Sequence, residues 1–198
     1  MQKIIIYQVL PRLYGNRNLT RKPNGTIEEN GCGKLNDFTD KELNNIRQKG
    51  ITHVWYTGVI RHATKTNYTA YGIPRCHPAV VKGQAGSPYA ISDYYDIDPD
   101  LAVDINSRMA EFEALVARTH KAGMKVVIDF VPNHVARQYK SLFQPEGVKQ
   151  SFNHISPTFC LIKAKVSSLS SFVGFFLLFP LFSNGSITLN FLPIFIIP

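Results

Sequence analysis

Acidic residues are missing from the end of this 198-residue sequence. All 14 Asp and Glu residues lie at or before Glu146, and the only charged residues from position 151 onward are Lys163 and Lys165. The same stretch holds nine of the 13 Phe residues. An abrupt change of composition indicates a boundary between segments of different character. We therefore divide the chain into residues 1–150 and a hydrophobic tail of uncertain origin, residues 151–198.

Cysteine is scarce, with only Cys32, Cys76 and Cys160. An odd number of cysteines, with no pair at the spacing of a zinc or redox motif, indicates neither a disulfide framework nor a zinc site and favours a reducing compartment. The apolar part of the first 15 residues is also too short for a signal peptide. The sequence therefore predicts a cytoplasmic protein.

The net charge of +8 does not come from a concentrated basic patch. The first 150 residues hold 20 Lys and Arg against 14 Asp and Glu, and the basic residues are scattered. A nucleic-acid-binding surface would instead interleave clustered Lys and Arg with aromatic residues. We predict an ordinary solvated surface and no nucleic-acid partner.

Three apolar, β-rich segments predict buried strands: residues 3–10, 51–57 and 125–131. The third contains a run of β-branched residues, as expected of a strand covered on both faces. Helical patterns lie before the second and third segments, so strands and helices alternate as in right-handed βα units. This order predicts an α/β fold with a parallel sheet.

The two helices are predicted from local signals. Thr39 and Glu42 have the spacing of a capping box, and Gly50 ends the first helix. Asn106 is predicted to cap the second helix, and Gly123 to end it. Its apolar face is formed by residues spaced three or four apart: Met109, Phe112, Leu115, Val116 and Thr119.

Residues 58–105 are predicted to form a very long connection rich in aromatic residues and histidine. A loop of this length without secondary structure in a compact domain is usually functional or is evidence against the assignment, and we favour the functional interpretation. Aromatic side chains above strand ends suit a flat, polyhydroxylated ligand. The residues concerned are His62, Tyr68, Tyr71, His77, Tyr89, Tyr94 and Tyr95.

Polar residues follow the third strand at once, in the sequence KVVIDFVPNH. Asp129 interrupts the apolar run, and Asn133 and His134 come directly after Pro132. Because the carboxyl ends of parallel strands hold the chemistry of α/β proteins, Asn133 and His134 lie where a ligand would sit. The alternative is a satisfied core acid followed by an ordinary loop.

This motif resembles the first conserved motif of the α-amylase superfamily of glycoside hydrolases (glycoside hydrolase family 13). That motif is Asp, three residues, Asn and His at the end of the third strand. A second similarity is Tyr89 four residues before Asp93, and the segments IIIYQVLPRLYG and GITHVWYTGVI look like the first two strands. Over residues 3–145, the resemblance implies a partial TIM (β/α)8 barrel, its first three βα units, followed by the atypical tail.

The resemblance also implies roles for individual residues. His134 would hydrogen-bond a hydroxyl of the sugar ring beside the scissile bond, and Tyr89 would stack on that ring. Asn133 would give an oxygen to a structural calcium ion, as in many relatives. Asp129 and Asp93 would support the site. Alternatively, Tyr89 is a packed loop aromatic and Asn133 caps a loop without metal.

The implied reaction of the parent family is hydrolysis of α-glucosidic bonds, chiefly α-1,4, in starch-like oligosaccharides with retention of configuration. It needs two carboxylates about 5–5.5 Å apart. In the family these follow the fourth and fifth strands, where this sequence has no acid. The chain is also shorter than the roughly 250 residues of a complete barrel. We therefore expect no catalytic residue and no activity from this chain alone.

The tail has three explanations. It is sequence foreign to the family, a membrane-associated segment, or a genuine hydrophobic part of the domain. Its most apolar stretch, FVGFFLLFPLF, is shorter than the roughly 18 residues of a membrane span, which makes membrane contact the less favoured partner prediction. The alternative to an enzyme fragment is a non-catalytic carbohydrate-binding or membrane-associated protein that uses Tyr89 and His134 for sugar contact.

Overall fold

The computed structural model describes residues 3–131, 134–146, 173–183 and 186–197. The helices are α1 (Pro11–Tyr14), α2 (Ile27–Asn30), α3 (Asp40–Gln48) and α4 (Arg108–Lys121). The strands are β1 (Ile6–Val9), β2 (His53–Tyr56), β3 (Ile60–His62), β4 (Ile91–Ile97), β5 (Lys125–Asp129), β6 (Val173–Ser183) and β7 (Ser186–Ile197). Short 3-10 turns lie at Leu35–Asp37, Thr69–Tyr71, Pro78–Val80, Pro99–Leu101 and Ile105–Ser107.

The three predicted strands form a parallel sheet in the order β1, β2, β5. Val54 of β2 pairs with Val126 of β5, and both side chains are fully buried. Trp55, next in β2, is 7% exposed. Since the apolar residues of β2 and β5 are covered on both faces, their prediction as core strands is confirmed.

The prediction of a core strand over residues 3–10 is wrong in extent. β1 covers only Ile6–Val9, and Val9 is its one buried residue. The side chains of Ile4, Ile6 and Tyr7 are exposed. β1 lies at the edge of the sheet, so its apolar composition alone did not reveal how little of it is covered.

The helix α3 begins at its predicted cap, but only half of the capping box forms. The hydroxyl of Thr39 accepts a hydrogen bond from the Glu42 amide at 3.3 Å. The Glu42 carboxylate accepts one from the Tyr14 hydroxyl at 3.2 Å instead of returning to Thr39. A complete capping box is found instead at α2, between Thr26 and Glu29.

The helix α4 starts later than predicted. Asp104 caps a 3-10 turn at Ile105–Ser107, and α4 begins at Arg108. Its buried face contains Phe112, Leu115 and Thr119, as predicted, but Met109 is 40% exposed. The hydroxyl of Thr119 lies 2.7 Å from that of Tyr56, which joins α4 to β2.

The long connection at 58–105 is not structureless, which corrects the sequence prediction. It contains the antiparallel pair of β3 and β4, whose register is irregular at Arg61. The side chains of β3 are all buried. The connection is held by ion pairs between residues that are distant in sequence. Hydrophobic periodicity does not reveal such pairs.

The tail extends the parallel sheet with an antiparallel hairpin. β7 pairs with β5 from Val126 opposite Ile197 to Asp129 opposite Ile194, and β6 pairs with β7 on the outside. The sheet order is therefore β1-β2-β5-β7-β6. The predicted boundary at residue 150 lies outside the described residues, and the origin of the tail stays a prediction. Among the helices of the described part, none has the length and apolarity to cross a bilayer.

We expect the chain to self-associate, because both β1 and β6 are edge strands. The sequence of β6 contains no charged residue to block pairing with another chain, and only Pro180 lacks an amide donor. Size-exclusion chromatography with light scattering should show species larger than the 22.3 kDa monomer. The double substitution Leu177→Lys and Phe179→Lys should raise the monomer fraction, whereas Leu177→Val with Phe179→Tyr should not. A uniform monomer from the unsubstituted chain would contradict this expectation.

Candidate functional site

The carboxyl ends of β2 and β5 are joined by Asp129. Its carboxylate accepts a hydrogen bond from the amide of Gly58 at 3.2 Å, directly after β2. Gly58 has a φ of +76°, which a side chain would disfavour, and an added Cβ would lie 2.9 Å from Pro88. Asp129 is 5% exposed. It therefore ties two adjacent strand ends together at the edge where ligands bind in parallel α/β folds.

The phenol of Tyr89 lies within electrostatic range of the Asp129 carboxylate. Burial raises the pKa of Tyr89, and the carboxylate of Asp129 raises it further. Burial also raises the pKa of Asp129, opposed by the hydrogen bond from Gly58. Tyr89 remains 37% exposed, so part of its ring is available to a ligand. The structure thus brings Tyr89 to the same edge as Asp129.

His134 is exposed, and its backbone carbonyl accepts a hydrogen bond from the Tyr94 hydroxyl at 3.2 Å. Asn133, the predicted calcium ligand, lies outside the described residues. Within the described residues, no three His, Cys, Asp or Glu side chains converge as a metal site would require. Calcium also accepts amide and backbone carbonyl oxygens, so the role of Asn133 as a calcium ligand stays a prediction.

Asp93 is fully buried, and its carboxylate binds protein groups on both oxygens. One oxygen accepts a hydrogen bond from the Tyr95 amide at 2.9 Å. The other accepts from Arg61 at 3.2 Å and from the Leu142 amide at 2.8 Å. Both oxygens of Asp93 are therefore engaged within the protein.

A network of buried acids and bases was not predicted from the sequence. Arg61 lies between Asp93 and Asp96, with its Nη1 3.1 Å from an Asp96 oxygen. Arg108 binds both oxygens of Asp96, at 2.6 and 2.9 Å. A charge this deeply buried is stable only when it is paired. The signal in the sequence was the run DYYDIDPD, in which Asp93 and Asp96 lie within β4 and Asp98 and Asp100 follow it directly.

A second group of buried ion pairs joins the connection at residues 58–105 to Arg12, shortly after β1. Arg12 binds Asp98 at 3.4 Å and also forms an ion pair with Asp100. Tyr68 donates a hydrogen bond to Asp100 at 2.5 Å, and His62 Nδ1 lies 3.4 Å from Asp98. Burial raises the pKa of Asp98, against the opposing effect of His62. The network therefore fixes the connection against the sheet.

The described part has a concavity beside Arg61 and His62 and a larger one that lies away from Tyr89, Asp129 and His134. The larger one has a volume of about 460 Å³ and is lined by Tyr68 and Tyr71 together with parts of residues 27–34 and 99–105. Tyr89, Asp129 and His134 do not line it. The site at the strand ends is therefore defined by its residues and not by a closed pocket in the described part.

Comparison with known protein families gives a match over most of the chain. The family model described as the alpha amylase catalytic domain matches residues 8–155. The chain belongs to this family, whose catalytic domain implies a partial TIM-barrel fold for the matched segment.

Relatives with known names match the same part of the chain. Maltase 1 of Drosophila virilis is 28% identical over 136 residues, which are 69% of this chain and 16% of the maltase. Trehalose-6-phosphate hydrolase of Bacillus subtilis is 27% identical over 139 residues, 70% of this chain and 18% of that protein. The human amino acid transporter heavy chain SLC3A1 is 28% identical over 134 residues, 68% of this chain and 14% of that protein. The chain spans less than a fifth of the length of these three proteins.

A solved structure is also similar. The alpha-amylase from Lactobacillus plantarum has 27% sequence identity and a TM-score of 0.46, over 68% of this chain and 24% of that one.

The substitution Arg61→Met should lower the free energy of unfolding by about 3–5 kcal/mol, because it leaves Asp93 and Asp96 without the charge between them. Lys121→Met is the control. Lys121 pairs with Asp40 at 3.0 Å on the surface, and losing that pair should cost about 0–1 kcal/mol. Urea unfolding followed by circular dichroism measures both. Equal losses for the two variants would contradict a structural role for the buried pairs.

The substitution Asp129→Asn should change how stability depends on pH. Because burial raises the folded-state pKa of Asp129, the folded chain binds its proton more tightly than the unfolded chain. The parent chain therefore loses stability as pH rises from the usual carboxyl pKa through the raised one. The amide keeps an acceptor for Gly58 and does not titrate. The stability of the variant relative to the parent should rise as the pH increases above the usual carboxyl pKa of about 4, and a constant difference would contradict this.

Proposed function

We propose that this chain is the N-terminal part of the catalytic barrel of a retaining glycoside hydrolase, comprising its first three βα units. The parent enzyme would act on α-glucosidic bonds, chiefly α-1,4, in starch-like oligosaccharides. One observation carries the proposal. Asp129 begins the Asp-x-x-x-Asn-His motif at the carboxyl end of β5, with Tyr89 beside it, inside the segment that the family model matches.

In this proposal Tyr89 and His134 form part of a sugar subsite. The exposed part of the Tyr89 ring stacks on the apolar face of a glucose unit and excludes water from it. The exposed imidazole of His134 hydrogen-bonds a ring hydroxyl, because it can both donate and accept. Asp129 supports the subsite by holding the ends of β2 and β5 together. Asp93 supports it through the buried network.

The proposal assigns sugar binding without hydrolysis to this chain. Glycoside hydrolysis needs one carboxyl group to donate a proton and another to act as nucleophile or base. The four acids of residues 93–100 are almost fully buried and engaged with protein groups. No Asp or Glu follows Glu146. The described site therefore supplies recognition groups and no suitable pair of free carboxyl groups.

A non-catalytic carbohydrate-binding protein is the second candidate. It is supported by the exposed side chains of Tyr89 and His134 together with the lack of Asp and Glu after Glu146. Such a protein would use the same Tyr89 and His134 for sugar contact. Complementation separates the two candidates. An enzyme fragment should gain hydrolytic activity when the missing strands of a relative's barrel are supplied, and a binding protein should not.

The test is binding of maltotriose to the full chain carrying Leu177→Lys and Phe179→Lys, measured by calorimetry. Tyr89→Ala should weaken binding about tenfold, because a stacked aromatic ring is worth about 0.5–1.5 kcal/mol beyond its area. His134→Ala should weaken it about fivefold through loss of a hydrogen bond.

The matched control is Tyr71→Ala. Tyr71 is 43% exposed, close to the exposure of Tyr89, but lines the larger concavity. This variant should bind maltotriose as the parent does. Reducing-sugar assays should detect no hydrolysis by any of these chains. Absence of binding by the parent, or hydrolysis abolished by a substitution within the chain, would overturn the proposal.

A further inference from the structure

The segment that carries His134 is held along its length by β4. Backbone hydrogen bonds join the Ala136 amide to the Ile91 carbonyl at 2.7 Å and the Lys140 amide to the Ser92 carbonyl at 3.0 Å. Residues 134–136 have neither helical nor strand structure of their own. Their placement therefore depends on these contacts and not on a local repeat of backbone hydrogen bonds.

Side chains of β3 and β4 add three further attachments to the same segment. The Tyr94 hydroxyl lies within hydrogen-bond distance of the carbonyls of both Val131 and His134. Arg61 donates to the Lys140 carbonyl at 2.6 Å, and Asp93 accepts from the Leu142 amide at 2.8 Å. The Tyr94 ring is also packed, with its centroid 5.1 Å from that of Phe130 and 5.8 Å from that of Tyr139.

We propose that Tyr94, Arg61 and Asp93, here called the clamp, are positioning residues that set the orientation of His134 for sugar binding. This inference rests on the proposed function of His134. Arg61 and Asp93 are at most 3% exposed, and the Tyr94 hydroxyl is directed at backbone carbonyls, so the clamp acts on the ligand only through the segment.

The clamp also explains how His134 is placed relative to Tyr89. Tyr89 precedes the first residue of β4, Ile91, by two positions, and Tyr94 belongs to the same strand. One rigid strand therefore fixes both groups that the proposed subsite uses. Arg61 and Asp93 anchor this strand to β3 through a buried ion pair. A site whose supporting groups are rigid loses little conformational entropy when it binds.

Tyr94→Phe is the most direct test, because it removes only the hydroxyl that contacts the two carbonyls. We expect the imidazole resonances of His134 to move in carbon–proton correlation spectra, and maltotriose affinity to fall about fivefold. The spectra use the full chain with Leu177→Lys and Phe179→Lys. His134→Gln assigns the resonance by its disappearance.

The matched control is Tyr56→Phe. It removes the buried hydroxyl that contacts Thr119 at 2.7 Å, on the helix side of the sheet. It should lower the melting temperature without moving the His134 resonance or changing maltotriose affinity. This control separates loss of stability from loss of orientation.

The clamp is refuted if Tyr94→Phe leaves the His134 resonance in place, or if Tyr56→Phe moves it equally. Failure of the proposed function gives a different result. In that case the parent chain binds no maltotriose and its addition moves no resonance. The sugar-free His134 resonance in Tyr94→Phe still decides whether the clamp orients the imidazole.

Discussion

The ion pairs of Arg61 with Asp93 and Asp96 are the interaction on which the order of the strand-end region depends. Both acids are at most 2% exposed, so their charges would be strongly unfavourable without a partner. Arg61 comes from β3, whereas Arg108 on the other side of Asp96 comes from the first turn of α4. The acidic strand can therefore be buried only when β3 and α4 are both in place. This requirement makes the long connection part of the folded domain.

Arg61 also constrains the segment that follows β5. Arg61 and Asp93 each form a hydrogen bond with the backbone after His134. Asp129 joins the ends of β2 and β5 through its hydrogen bond with Gly58. The strand-end region is thus held both by the parallel sheet and by β4. Arg12, at the exit of β1, binds the acids that follow β4. Each of the three parallel strands is therefore followed by, or ends on, a residue in a buried polar contact.

Local patterns in the sequence were sufficient for the strands that are covered on both faces. β2 and β5 were predicted because their apolar residues have no polar face, and α3 because Thr39 is a strong cap. The buried network was missed since its partners are far apart in sequence. Arg61 lies 32 residues from Asp93, and no periodicity connects them. For the same reason, a long loop was predicted where β3 and β4 pair. The exposure of Met109 shows a related limit, because helical spacing places it on the apolar face while the start of α4 leaves it uncovered.

The position of Trp55 gives the chain a property of practical use. It is the only tryptophan in the sequence, and it lies opposite Gln8 of β1 and Val127 of β5 with 7% of its surface exposed. Indole fluorescence from this protein therefore originates from one point at the centre of the parallel sheet. The emission wavelength reports the polarity around that point, because neither the hairpin nor the acidic strand contains a tryptophan. Fluorescence and backbone spectroscopy together would distinguish opening of the sheet from fraying of the segments around it.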